Sequence, residues 1–358
     1  DGNITVTISA TDSGLLTAAG IGDSFALDTT APLAATTSFI QIADDSGTAG
    51  DYITNDASVT VSGVFAGTLN TGAGEKIQVS ADGGTTWVDA GIVGSLWIAD
   101  GVGLVEGPGT LSTRTVDTAG NVNPGVSHAY TLDTAALTPG VELASDTGID
   151  GDNISFVGTV SVTDIEVGAI WQYRTHNGSA WTAWTTGSGS SFTLAEGSYA
   201  AGAVEIQQTD VAGNNSTVGS NAEAIVIDQT PPVAPSGLDL AAADDSANDT
   251  DNITNVTTAL TISVAGENDA TLELFDDDND DGIVDAGESL GYGTVAGGTY
   301  SFDVALAEGV HKIKAIQTDV AGNPSPVSTA LEITIDTTLA TPTVDLTFDS
   351  GTDGDLLT

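Results

Sequence analysis

Residues 270–295 read ATLELFDDDNDDGIVDAGESLGYGTV. The twelve at the centre, 277–288, put oxygen-bearing side chains at positions one, three, five, nine and twelve, glycine at six and valine at eight. That is the pattern of an EF-hand calcium loop. Such loops ordinarily join two helices. Here ATLELF alternates with the period of a strand, and the following SLGYGTVAGGTYSF has too much glycine for a helix. The loop must therefore join strands.

Two other stretches align with this one. IQVSADGGTTWV, from Ile77, reads as a hairpin turning at Asp82-Gly83-Gly84, and WQYRTHNGSAWT, from Trp171, as a hairpin turning at Asn177-Gly178. Both tips supply residues that accept positive φ. In the third stretch LELF occupies the first strand, so the acidic loop replaces a hairpin turn. In the loop Asp277, Asn279, Asp281 and Asp285 offer side-chain oxygens, Ile283 its carbonyl, and Glu288 a bidentate carboxylate, while Gly282 permits the sharp bend. A lone copy on a hairpin predicts a structural Ca2+ ion.

Three further markers recur through the chain. VDTAGN begins at Val116, and TDVAGN begins at Thr209 and Thr318. Sixteen to eighteen residues after each start comes LDTAALTP, IDQTPPVAP or IDTTLATP, with an earlier LDTTAP at Leu27. Then follow DSGTAGDYIT from Asp45, DTGIDGDNIS from Asp146, DSANDTDNIT from Asp245 and DSGTDGDLLT from Asp349, with aspartate at positions one and seven throughout. This spacing divides the chain into the C-terminal part of a repeat (1–27), three whole repeats (28–133, 134–228 and 229–336) and the start of another (337–358). A segment opening and closing inside a repeat is expected to come from a longer chain. Within each repeat, short alternating runs such as ASVTVSGVF, GTVSVTDI and TALTISVAG lie between Gly, Asn and Asp turns. The expected fold class is all-β: tandem immunoglobulin-like β-sandwiches in an extended rod.

Composition narrows the function. The chain has 50 acidic against 5 basic residues, a formal charge of -45, which disfavours nucleic acid and anionic membranes as partners. No run of 18 apolar residues or signal-peptide pattern is present, and 40% apolar content in alternating order argues for folded domains. Cysteine is absent, so no disulfide stiffens the domains. Only His128, His176 and His311 could serve as a catalytic base, each in a different repeat, so no enzyme is expected. Trp171, Tyr173, Trp181 and Trp184 could form a sugar-stacking platform, but tryptophans on adjoining sandwich strands are more often core.

The aspartates suggest the stiffening element. Sandwich topology predicts that the AGN loop, the DT linker and the loop opening the next repeat converge at each boundary. The first full junction would gather Asp117, Asn121, Asp133, Asp146, Asp150 and Asp152. The second would gather Asp210, Asn214, Asp228, Asp245, Asp249 and Asp251; the third Asp319, Asn323, Asp336, Asp349, Asp353 and Asp355. A weaker junction would involve Asp12, Asp28, Asp45 and Asp51, since residues 11–20 lack AGN and Ala49 stands where the later copies have aspartate. Oxygen-only ligand sets of this kind suit calcium, although Asp, Asn and Gly are also ordinary turn residues.

The combination of TDVAGN, IDTTLATP and DSGTDGDLLT resembles the bacterial Ig-like repeats of giant repetitive adhesins, the RTX type exported by type I secretion. The resemblance implies a cell-surface stalk whose repeats contact one another through calcium and hold ligand-binding regions for host, glycan or matrix away from the cell, in adhesion or biofilm formation. Two alternatives are a glycan- or protein-binding module and a subunit of a surface-layer or matrix filament.

Overall fold

The computed structural model describes residues 1–14, 17–20, 22–32, 36–246, 248 and 250–342. Regular structure among them is β-strand, apart from one 3-10 turn at Thr71–Ala73. No described helix is long and apolar enough to cross a membrane. The chain forms two compact units: Asp1–Glu142, Ser161–Phe192 and Gly202–Ala222 make the first, and Leu143–Val160, Thr193–Ala201 and Glu223–Thr358 the second. The division runs through residues 134–228, so strands of that repeat are found in both units.

In the first unit, residues 36–132 build a two-sheet sandwich. One sheet has the order Gly91–Val93, Leu96–Gly103, Ser58–Ala66, Thr36–Ile42. The other has the order Ile53–Thr54, Val122–Leu132, Gly107–Val116, Lys76–Ser80, Val88–Asp89. Strand alternation fills the space between them: Val59 and Val61 from one sheet meet Ile77, Val79 and Leu111 from the other. Each side chain so buried contributes about 1.5–3 kcal/mol. Trp97 sits in this core at 0% exposure. It fits because residue 63 is glycine: a Cβ there would lie 2.5 Å from the indole and 1.8 Å from the Ser38 carbonyl. The same unit holds the antiparallel pairing of Gly2–Val6 with Asp23–Leu27, and a sheet ordered Thr185–Thr186, Ile170–Thr175, Val204–Thr209, Gly219–Ser220.

The second unit repeats the plan in residues 236–335. Ser236–Leu240, Leu260–Ala265 and Thr299–Val304 form one sheet. Ile253–Thr254, Leu331–Ile335, Gly309–Thr318, Thr271–Asp276 and Ser289–Thr294 form the other. Leu260, Ile262, Leu272, Leu274, Ile313 and Ile333 make its core. The all-β, tandem-sandwich class read from the sequence is the class observed. The acidic loop joins Thr271–Asp276 to Ser289–Thr294, which pair antiparallel, so it lies at a hairpin tip.

The aromatic residues of the middle repeat divide between core and surface. Trp171 is buried, and Tyr173 stacks on Phe192 at 4.0 Å. Trp181 and Trp184 lie outside, each with the Arg174 guanidinium 4.5 Å from its ring centre. The four rings do not form one open platform.

Candidate metal centres

The AGN loop is a fixed device. In TDVAGN the Asp319 carboxylate accepts from the Asn323 backbone N–H (2.8 Å), and the Asn323 amide donates to Asp319 Oδ2 (2.9 Å) and to the carbonyl of Asp228 (2.8 Å). Asp210 and Asn214 repeat it, the amide reaching Asp133 O at 2.7 Å. Asp117 and Asn121 do so again, the amide reaching Asp28 O at 3.2 Å. Asn121 is the main reason the Asp117 carboxyl lies below its ordinary pKa.

These bonds correct the grouping expected from sequence. Each AGN loop holds the linker that precedes its own repeat, because the last hairpin of the sandwich turns at the pole where the first strand enters. The aspartate loops lie at the opposite pole and meet the AGN loop of the next repeat. In the first unit the Ser46 hydroxyl donates to Ala212 O at 2.6 Å. In the second, Thr147 donates to Ala321 O at 2.6 Å, and the Ile149 and Phe156 N–H groups reach Val320 O and Ala321 O at 3.3 Å. Gly47 and Gly148, both with positive φ, make these approaches possible. A Cβ would lie 2.0 Å from Val211 O at the former and 2.1 Å from Val320 O at the latter.

One joint therefore combines Asp45 and Asp51 with Asp133, Asp210 and Asn214. The next combines Asp146, Asp150 and Asp152 with Asp228, Asp319 and Asn323. Asp117 and Asn121 belong with Asp28, not with Asp146–Asp152 as expected. Asp12 is exposed and accepts from Gly14 N (2.9 Å) in its own turn. Asp245 and Asp251 lie on the third aspartate loop, and Asp336 accepts from Thr338 N at 2.9 Å in an exposed turn. Asp249, Asp349, Asp353 and Asp355 lie outside the described residues.

Two observations bear on a cation. Asp133, Asp210 and Glu166 present carboxylate oxygens that all lie within 4.8 Å of one another. Each pair repels by about 0.9 kcal/mol in bulk water, and by about 3.5 kcal/mol at the effective dielectric of a protein surface. The second concerns the first aspartate of the loops. Asp45, Asp146 and Asp245 each bury Oδ1 with no hydrogen-bond partner among the described residues, while Oδ2 is held by loop N–H groups. Asp245 is only 4% exposed. A buried oxygen of this kind needs a donor or a cation. All-oxygen donor sets fit a hard divalent ion.

Two parts of the joint were missed in the sequence. Glu166 opens EVGAIW, and Glu267 opens the corresponding ENDATL; their N–H groups donate to Gln208 Oε1 (2.9 Å) and Gln317 Oε1 (2.8 Å). The recurring E-x-x-A before a strand was the available signal. Glu106, Glu196 and Glu308, each in an L-x-E-G phrase, accept from the linker threonines Thr134, Thr230 and Thr337. The EG repetition marked these.

The 277–288 loop has a different electrostatic arrangement. Asp277, at 0% exposure, accepts from the Asp281 N–H (3.1 Å) and the Gly282 N–H (2.9 Å). Glu288 accepts from Asp278 N and Asp285 N, and the Asn279 amide lies 3.1 Å from both Asp281 and Asp285. Hydrogen bonds thus link Asp277, Asn279, Asp281, Asp285 and Glu288 around the loop, while Ile283 is 62% exposed. Two ammonium groups lie over the acidic side: Lys314 Nζ is 2.7 Å from Asp277 and 2.8 Å from Asp280, and Lys312 Nζ is 2.7 Å from Asp280. The lysines hold the Asp280 carboxyl at a pKa of about 2.

The sequence model of the bacterial Ig-like domain matches residues 232–337. This segment is therefore similar to a bacterial Ig-like domain. It contains the sandwich of residues 236–335 and the acidic loop. Among solved structures, the chain is similar to a tetra-tandem repeat in the extending region of a large adhesion protein (20% identity, TM-score 0.30, 94% of this chain and 82% of that one). It is also similar to a 1.5-MDa bacterial ice-binding adhesin (16%, 0.37, 84% and 99%). A third similarity is to the fibronectin(III)-like modules of Clostridium thermocellum CbhA (17%, 0.31, 57% and 100%). No curated protein matches the chain significantly.

Proposed function

We propose that the chain is a structural extender, a stalk segment of a large bacterial cell-surface adhesin, whose repeats are stiffened by calcium at their joints. The observation that carries this reading is the joint of Asp133, Glu166 and Asp210 beside the aspartate loop of Asp45. Carboxylates from a linker and from two loops of one repeat are gathered where the preceding repeat docks. Without a cation their repulsion opposes docking; with calcium the same oxygens become ligands. Asp228, Asp319, Asn323 and Asp146 repeat the arrangement of linker, AGN loop and aspartate loop at the following joint. The similarity of residues 232–337 to a bacterial Ig-like domain agrees with a structural role. Secretion, surface location and a part in biofilm formation belong to the same proposal.

Small-angle scattering of the chain in millimolar calcium and after chelation tests it. The expected result is a longer, better-defined maximum dimension with calcium and a shorter, broader distance distribution without it. Identical profiles would overturn it.

A further inference from the structure

We infer that Lys314 is a built-in counter-cation of the 277–288 loop, an ammonium with which calcium must compete, so that the loop fills only at high calcium. The inference rests on the reading of that loop as a calcium site.

The chain has 5 basic residues among 358, and two of them, Lys312 and Lys314, stand over this one loop. Their position follows from the register. Ile313 and Ala315 face the core, which turns Lys312 and Lys314 to the outer face, and Lys314 pairs across the ladder with Phe275, two residues before the loop. The Lys314 side chain is 12% exposed, and its ammonium touches the first residue of the calcium pattern, Asp277, which is fully buried. It also touches Asp280, which occupies position four and is not in the ligand pattern. Asp280 thus gives the ammonium a second anchor, outside the ligand positions, and Lys312 shares that anchor.

A positive charge within contact of the position-one ligand has two effects. It offsets the mutual repulsion of the loop's carboxylates when no metal is present, keeping the hairpin tip folded. It also repels a divalent ion, or must withdraw toward Asp280 to admit one, and so weakens binding. The site then works at the upper end of calcium-loop affinities, where extracellular modules operate.

The test is a calcium titration of the whole chain followed at the Gly282 amide by nitrogen–proton NMR. That N–H donates to Asp277 and reports on this loop alone. Removing the charge in Lys314→Met is expected to lower the calcium midpoint by about tenfold or more, while Lys314→Arg, which keeps it, leaves the midpoint near that of the native chain. Asp277→Asn is expected to abolish the response. A Lys314→Met midpoint within about twofold of the native value, or an Arg variant behaving like the Met variant, would overturn the counter-cation and leave the calcium loop standing. Lys314→Gln serves as the neutral variant if Lys314→Met fails to fold. No Gly282 response in the native chain or in any variant would overturn the calcium loop, and the inference with it.

Discussion

Asn323 donates two hydrogen bonds from one amide, to Asp319 and to the carbonyl of the linker residue Asp228, and it is 6% exposed. Asn323→Ala leaves that carbonyl without its donor and is expected to cost about 1–3 kcal/mol by chemical denaturation. Asn323→Asp places a second carboxylate beside Asp319 and is expected to cost more. Two glycines of one loop give a finer comparison. Gly148 and Gly151 both have positive φ, but only at Gly148 would a Cβ meet the backbone of the following repeat. Gly151→Ala should therefore lose only the conformational part, about 1 kcal/mol. Gly148→Ala should lose about 1–3 kcal/mol more and speed hydrogen exchange at residues 320–322. Equal losses would show that the loop does not dock there. The sequence displayed these residues as repeated phrases, but the phrases DSG (45–47) and DTG (146–148) convey only a turn. That their glycines admit a neighbouring carbonyl follows from long-range packing, which no local pattern encodes.

At the scale of the element, the hairpin tip is where the sequence was most informative. Alternation in ATLELF and the glycines after Glu288 excluded helices, and the structure places the loop between paired strands. The lysines were not legible as part of it, because they lie more than 20 residues further on in Gly309–Thr318 and reach the loop only through strand pairing. Their presence has a pH signature. Asp280 ionises at about 2 in the folded chain, held low by Lys312 and Lys314. A carboxyl depressed in the folded state contributes stability above its unfolded pKa of about 4 and loses it as the pH falls through the folded value. In calcium-free buffer, exchange protection at the 277–288 hairpin is expected to be constant above about pH 5 and to decline from about pH 4 toward 2. Lys314→Met should flatten that decline. Protection that is unchanged down to pH 2 would contradict the ion pairs.

Across the molecule, charge is distributed very unevenly. All five basic residues are engaged: Lys76 with Asp89, Arg114 with Gln78 and Trp87, Arg174 with Glu205 and two tryptophans, and the two lysines with the loop. Other described carboxylates are held by backbone N–H groups, as Asp45, Asp146 and Asp319 are, or lie beside one another, as Asp133, Glu166 and Asp210 do. The joints are where this excess becomes organised. Their motifs could be read from the repeats, but not which motif meets which, since that depends on the pole at which the last hairpin turns. Cation binding by the folded state alone would raise stability by about 2.7 kcal/mol at a hundredfold excess over the dissociation constant. The melting temperature should therefore rise with calcium and fall on chelation, with magnesium much less effective. Glu166→Gln should reduce the rise.

Carboxylates at the joint between the first and second whole repeats are proposed to hold a cation. An anomalous-difference map from a crystal grown in millimolar calcium tests it directly. A peak bonded to oxygens of Asp133, Glu166 and Asp210 is expected; density for those three side chains turned apart into solvent, with no peak between them, would contradict a cation at this joint.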